Sequence, residues 1–202
     1  MADAGRPSAK SVEGIREMLR MRKKRAGSLS RTCVGATALA ATLMGVASAV
    51  APSAGASVAQ GSIMGAGWGS GVKDDFGDEG PLDSNSHRTS NATALWQLIL
   101  RADGLYSAGI DCDYGPATTA ATKEWQDVYG WASEDGYLTQ DGSAGPKTFG
   151  TADFWLIDQG NNRDIVYRGS SHDVTFRRVN GVYQFSLNGA WRNASYTSAS
   201  AC

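Results

Sequence analysis

Asp111-Cys112-Asp113-Tyr114-Gly115-Pro116-Ala117-Thr118 and Asp141-Gly142-Ser143-Ala144-Gly145-Pro146-Lys147-Thr148 share one pattern, Asp-x-x-x-Gly-Pro-x-Thr, the second copy starting 30 residues after the first. Four matched positions at one spacing indicate a structural unit used twice. Proline is pre-set for the first residue of a helix and lacks only an N–H that would be orphaned there. The glycine before it is expected to supply a backbone angle that other residues resist. The aspartate can accept turn N–H groups, and the threonine falls in the first helical turn. Each copy therefore reads as a turn followed by a helix start. After the first, Ala117, Ala121, Trp125 and Val128 fall on one helical stripe, and after the second Phe149, Ala152 and Leu156 do the same.

Upstream, Ser90 or Thr89 is the expected N-cap of a helix through Ala94–Leu100, which Gly104 ends. Trp96, Ile99, Leu100 and Asp103 lie on one stripe, with Leu95, Leu98 and Ala102 beside it. With Trp96-Gln97 on this first helix, Tyr114-Gly115-Pro116 and Thr118 opening a second that carries Trp125-Gln126, and Leu138, Asp141-Gly142 and Gly145-Pro146 before Thr148-Phe149, residues 91–157 resemble the peptidoglycan-binding-like domain. The resemblance implies a three-helix module of the kind carried by secreted bacterial cell-wall proteins, with peptidoglycan as its partner. Two departures stand out. Cys112 sits where that family has glycine, and the 129–140 connection is longer than the family's.

Downstream the chemistry changes. Val174–Val179, Val182–Leu187 and Ala190–Tyr196 are β-rich runs separated by Asn180-Gly181 and Asn188-Gly189. Asn-Gly between such runs signals a type I′ hairpin, because that turn needs two positive φ angles. Ile165-Val166-Tyr167 is a candidate fourth strand. The expected fold class is α+β: the helical module, then a small antiparallel β-meander over 158–202 that packs on the helices, since an isolated hairpin is marginal in water.

Residues 1–56 read as a signal peptide. A cationic block (Arg20, Arg22, Lys23, Lys24, Arg25) precedes the uncharged run Val34–Ala51, and Pro52 and Ala54-Gly55-Ala56 follow. Cleavage is expected after Ala56, with Ala49 the second choice and translation from Met18 or Met21 the alternative start. After processing no stable membrane span is expected, and the product is secreted, extracellular or wall-associated. Glycine punctuation (Gly61, Gly65, Gly67, Gly69, Gly71) and an acidic stretch (Asp74, Asp75, Asp78, Glu79, Asp83) make 57–90 a flexible linker on this reading, docked at most through Trp68 and Phe76.

The net charge of −1 conceals +6 on residues 1–56 and −7 on the rest. An acidic body argues against nucleic acid, whose phosphates need clustered Lys and Arg. Removing the leader leaves Cys112 and Cys202, an even pair that in an oxidising compartment suggests a disulfide; two separate thiols are the alternative. His87 and His172 are too few and too scattered for a metal site, and no cofactor is implied.

Catalysis needs a carboxylate pair, a nucleophile with a base, or a metal. Glu124/Asp127 and Glu134/Asp135 read as solvated pairs, and His172-Asp173 beside Ser170-Ser171 cannot adopt triad geometry within one turn. The expected protein is not an enzyme. It binds peptidoglycan, with Tyr129, Trp131 and Tyr137 of the long connection as candidate sugar-facing aromatics. The alternative is an exported adaptor for, or inhibitor of, a cell-wall hydrolase or another secreted protein.

Overall fold

The computed structural model describes residues 56–65, 71–134 and 136–202. The cationic block, the apolar run, Trp68 and Asp135 lie outside the described residues. Among those described are four α-helices and a five-stranded antiparallel sheet, so the class is α+β. A short α1 (Ala56–Gln60) precedes three helices in the repeat region: α2 (Asn91–Ala102), α3 (Pro116–Tyr129) and α4 (Pro146–Ala152). None of them is long and apolar enough to cross a membrane.

Ser90 caps α2, its Oγ accepting the Thr93 N–H at 3.0 Å. At the other end Gly104 takes φ 76°, and the N–H groups of Gly104 and Leu105 reach back to Arg101 and Leu100. This is a Schellman ending, in which glycine accepts the left-handed angle. Pro116 and Pro146 both open helices. The glycines before them, however, stand at φ −82° and −93°. Their backbone is ordinary extended chain, the conformation favoured before proline, so the expectation of a glycine-only angle there is corrected.

α4 is shorter than its stripe suggests. It stops at Ala152, tightens into a 3-10 turn over Asp153–Trp155, and Leu156 leaves it as the first residue of β1 (Leu156–Asp158). The sheet continues through β2 (Asp164–Arg168), β3 (Asp173–Val179), β4 (Val182–Leu187) and β5 (Ala190–Asn193), in simple sequential order. Both Asn-Gly pairs turn with positive φ at each residue, 53° and 83°, then 52° and 78°. Ile165, Tyr167, Phe176, Tyr183 and Phe185 project from one face and are fully buried in a core shared with the helices. Trp96 of α2 and Trp125 of α3 meet edge to face at 5.3 Å, and Trp96 also stacks near Phe149 of α4.

Residues 57–90 are not a flexible linker where they are described. Ile63, Val72, Phe76 and Leu82 are buried. Ile63 exchanges main-chain hydrogen bonds with Ala194 and Tyr183, Leu82 pairs with Ala144 in both directions, and Ser90 N–H and Arg88 C=O bond the first motif loop at Cys112 and Tyr114. The acidic composition misleads because two of its carboxylates are internal. Asp75 meets Arg178 at 2.8 Å and accepts the Tyr183 hydroxyl, while Glu79 accepts the Met64 N–H at 2.6 Å and the Tyr196 hydroxyl. Buried carboxylates are tolerated only when bonded in this way. Asp103 does the same at the end of α2, accepting Trp125 Nε1 (2.8 Å), Tyr167 Oη (2.7 Å) and Ser170 N–H (3.0 Å).

Cys112 and Cys202 form a disulfide, their Cα atoms 5.9 Å apart. The C-terminal tail is also held by Asn91, whose side chain donates to Asn193 C=O and Ser200 Oγ and accepts from Ala201 N–H.

Candidate functional site

Each motif closes around a glutamine from the preceding helix. Gln97 is fully buried; its Nε2 donates to Asp111 Oδ1 (2.7 Å), Asp113 C=O (3.0 Å) and Thr118 Oγ1 (3.0 Å), and its Oε1 accepts the Asp111 and Cys112 N–H groups. Gln126 repeats the pattern with Asp141 Oδ1 (2.8 Å), Ser143 C=O (3.0 Å), Thr148 Oγ1 (3.1 Å) and the Gly142 N–H (2.9 Å). Within each loop the aspartate also accepts the N–H two residues on, and the threonine donates to a loop carbonyl. The motif aspartates and threonines thus hold the loops in shape. Trp96-Gln97 and Trp125-Gln126 stand out in the sequence, each glutamine 14 or 15 residues before its motif aspartate, but the spacing alone does not show that the glutamine is the hub of the loop.

The two loops differ on their outer side. Against the second lies a cleft of about 150 Å³, lined by Gln126, Asp141 and Thr148 of the cradle and by Ser133, Tyr137 and Thr139 of the long connection. Tyr137 is 69% exposed and Trp131 46% exposed, so two of the three candidate aromatics present ring surface to solvent in this connection. Tyr129 does not. It is buried, stacked on Trp125 and Trp155, and its hydroxyl meets Ser170 Oγ at 2.5 Å. It lies in the helical-stripe register that also buries Trp125 and Gln126, which removes it from the ligand-facing set.

Glu124, Asp127 and Glu134 are exposed, and Gln140 Nε2 donates to Asp127. His172 and Asp173 are exposed at the start of β3, and Ser170 is engaged by Tyr129 and Asp103. Asp141 is the single carboxylate among the cleft's described lining. Among the described residues no three His, Cys, Asp or Glu side chains gather as a metal site.

Two buried carboxyls are displaced from their ordinary range. Burial raises Asp103 against the bonds it accepts from Tyr167, Ser170 and Trp125. Burial pushes Asp153 up to about 9, with the charges of Asp75 and Asp74 adding to the rise and the Phe76 N–H opposing it. Asp103 follows α2 and Asp153 follows α4, and neither is among the residues that line the cleft.

Compared with known proteins, the chain matches no family model, no curated protein and no solved structure.

Proposed function

We propose that this is a secreted, non-catalytic peptidoglycan-binding protein. The repeated Trp-Gln and Asp-x-x-x-Gly-Pro-x-Thr pattern, resembling the peptidoglycan-binding-like domain, carries the reading. It is supported by a polar cleft at the second copy with Tyr137 in its lining, and by the exposed ring of Trp131 earlier in the same connection. Exposed aromatic faces stack on sugar rings while amides and hydroxyls meet their edges. A glycosidase needs two carboxyl groups across its scissile bond, and the cleft offers Asp141 alone among its described lining, with Oδ1 already accepting from Gln126 and Ser143. The direct test is retention of residues 57–202 on purified sacculi. Retention above that of an unrelated acidic protein, and its loss in a Trp131→Ala/Tyr137→Ala double variant, supports the reading; retention no better than the control removes it.

A second reading, an exported adaptor or inhibitor of a cell-wall enzyme, is favoured by Phe154. Its ring is 59% exposed, with Lys73 Nζ 5.6 Å from the ring centroid. A stable complex with a co-secreted protein that added muropeptides do not disturb would favour this reading over the first.

A further inference from the structure

The internal duplication allows the two cradles to be compared position by position, and one position differs in kind. Five residues before the first motif aspartate stands Tyr106; five before the second stands Gly136. Tyr106 is 5% exposed and plugs its own loop: its hydroxyl accepts from Gln97 Nε2 at 3.2 Å and donates to Gly109 C=O at 3.2 Å. In the second loop the chain turns through Gly136 at φ 95°, an angle that L side chains rarely adopt, so no ring occupies the matching place. The neighbouring Tyr137 stays largely in solvent. The cleft of about 150 Å³ opens in this loop, and it is lined by Gln126 and Thr139, the counterparts of the two groups that the Tyr106 hydroxyl engages.

We infer that the cleft beside Gln126 is a binding subsite for one hydroxylated six-membered sugar ring, which takes the place that the Tyr106 side chain fills in the first repeat. The inference rests on the wall-binding reading for its choice of a saccharide, and the chemistry of the lining supports that choice. A phenol carries one hydroxyl and an otherwise apolar rim. The cleft instead presents the hydroxyls of Ser133 and Thr139 and the carboxylate of Asp141, with Leu138 and Tyr137 also in its lining. That distribution matches a pyranose ring, which has polar groups around its edge and aliphatic faces. Gln126 is 2% exposed and its amide is spent on Asp141, Ser143, Thr148 and the Gly142 N–H, so it fixes the inner wall. Polar contact to a ligand falls to Ser133, Thr139 and the exposed Asp141 carboxylate. A wall already held in shape lowers the ordering cost of binding.

The probes are N,N′-diacetylchitobiose and, for contrast, N-acetyltyrosinamide, titrated into residues 57–202 with amide shifts read by NMR. Two variants fill the cleft. Gly136→Tyr rebuilds the plug of the first repeat. Thr139→Trp, at an exposed position with no left-handed backbone requirement, covers the opening without asking Gly136 to change. Thermal melting verifies that each variant folds. The expected result is that chitobiose shifts the Gln126 side-chain and Leu138–Thr139 amides of the unmodified protein, and that affinity falls at least tenfold in Thr139→Trp, with the same loss in Gly136→Tyr if it melts normally. Chitobiose binding that Thr139→Trp leaves unchanged, no chitobiose binding at all, or binding of N-acetyltyrosinamide in its place each overturns the inference. Sacculus retention measured on the same proteins keeps the two readings apart. If both the unmodified protein and Thr139→Trp are retained equally, the subsite falls and the wall-binding reading stands. If neither is retained while chitobiose still binds through the cleft, the wall-binding reading falls and the sugar subsite stands.

Discussion

The two cradles use the same atoms to opposite ends. Around Gln97 the loop is tied down: Tyr106 plugs it, Cys112 joins it to the C-terminal tail, and at the surface Arg88 bonds Asp113 at 2.8 Å, which together with the charge of Arg88 holds that carboxyl below its usual range. Around Gln126 the same hub stands beside a cleft, and the loop carries glycine at both Gly136 and Gly142. The difference shows how one folding unit can supply both core and candidate surface. The hub needs a glutamine, an aspartate and a threonine in fixed geometry. The residue that fills or leaves the space beside it can change without disturbing those bonds.

This comparison can be broken at several points. The largest effect is expected at the disulfide. Its 90-residue separation corresponds to about 4.6 kcal/mol of stability in the chain-entropy view, so Cys202→Ser should lower the denaturant midpoint accordingly, and reductant should do nothing further to the variant. Next comes Gln97→Ala, expected to cost about 3 kcal/mol in urea melts, because it empties a fully buried position and takes the acceptor from the Asp111 and Cys112 N–H groups beside the buried Tyr106. Gln126→Ala is expected to cost less, about 1–2 kcal/mol, since water entering the neighbouring cleft can satisfy some of the same groups. Equal costs at the two glutamines would contradict the contrast drawn between a plugged and an open cradle.

A pH series sharpens the same picture at the end of the second repeat. The folded Asp153 carboxyl titrates at about 9 against an ordinary 3.8, so the folded state holds its proton more tightly than the unfolded chain does. The contribution of this group is present in full below about pH 4 and is lost as pH rises towards 9. Asp153→Asn should therefore match the unmodified protein near pH 4 and surpass it increasingly from pH 5 to 9, measured by urea midpoints; a constant offset across that range would contradict the assignment. The smallest effect concerns Cys112, which stands at φ 61° where the second loop has Gly142 at φ 79°. In a Cys202→Ser background, Cys112→Gly should recover up to about 1 kcal/mol by relieving a left-handed non-glycine residue. A further loss of stability would show that the thiol's packing outweighs its backbone angle.

Much of this could be read along the chain. The proline-led helix starts at Pro116 and Pro146, the Ser90 cap, the Gly104 stop and the two Asn-Gly turns were legible because each depends on a few neighbouring residues. Pattern reading failed where distant partners decide. The acidic stretch 74–83 looks solvated until Tyr183, Arg178 and Tyr196 arrive from about 100 residues away to bond Asp75 and Glu79. Leu156 fits the stripe of α4, yet pairs with Tyr167 in the sheet. Tyr129 sits in a connection that looks exposed, yet Trp155 and Ser170 enclose it.

Local chain chemistry determined that a helical unit recurs and that a hairpin-linked sheet follows, since turn, cap and helix-start preferences act over a handful of residues. Tertiary structure alone decided which carboxylates are internal, which of the three connecting aromatics meet solvent, and that one cradle is filled while its twin stands open. Those outcomes depend on which groups from remote parts of the chain arrive to exclude water, and no short window of sequence contains both halves of such a contact.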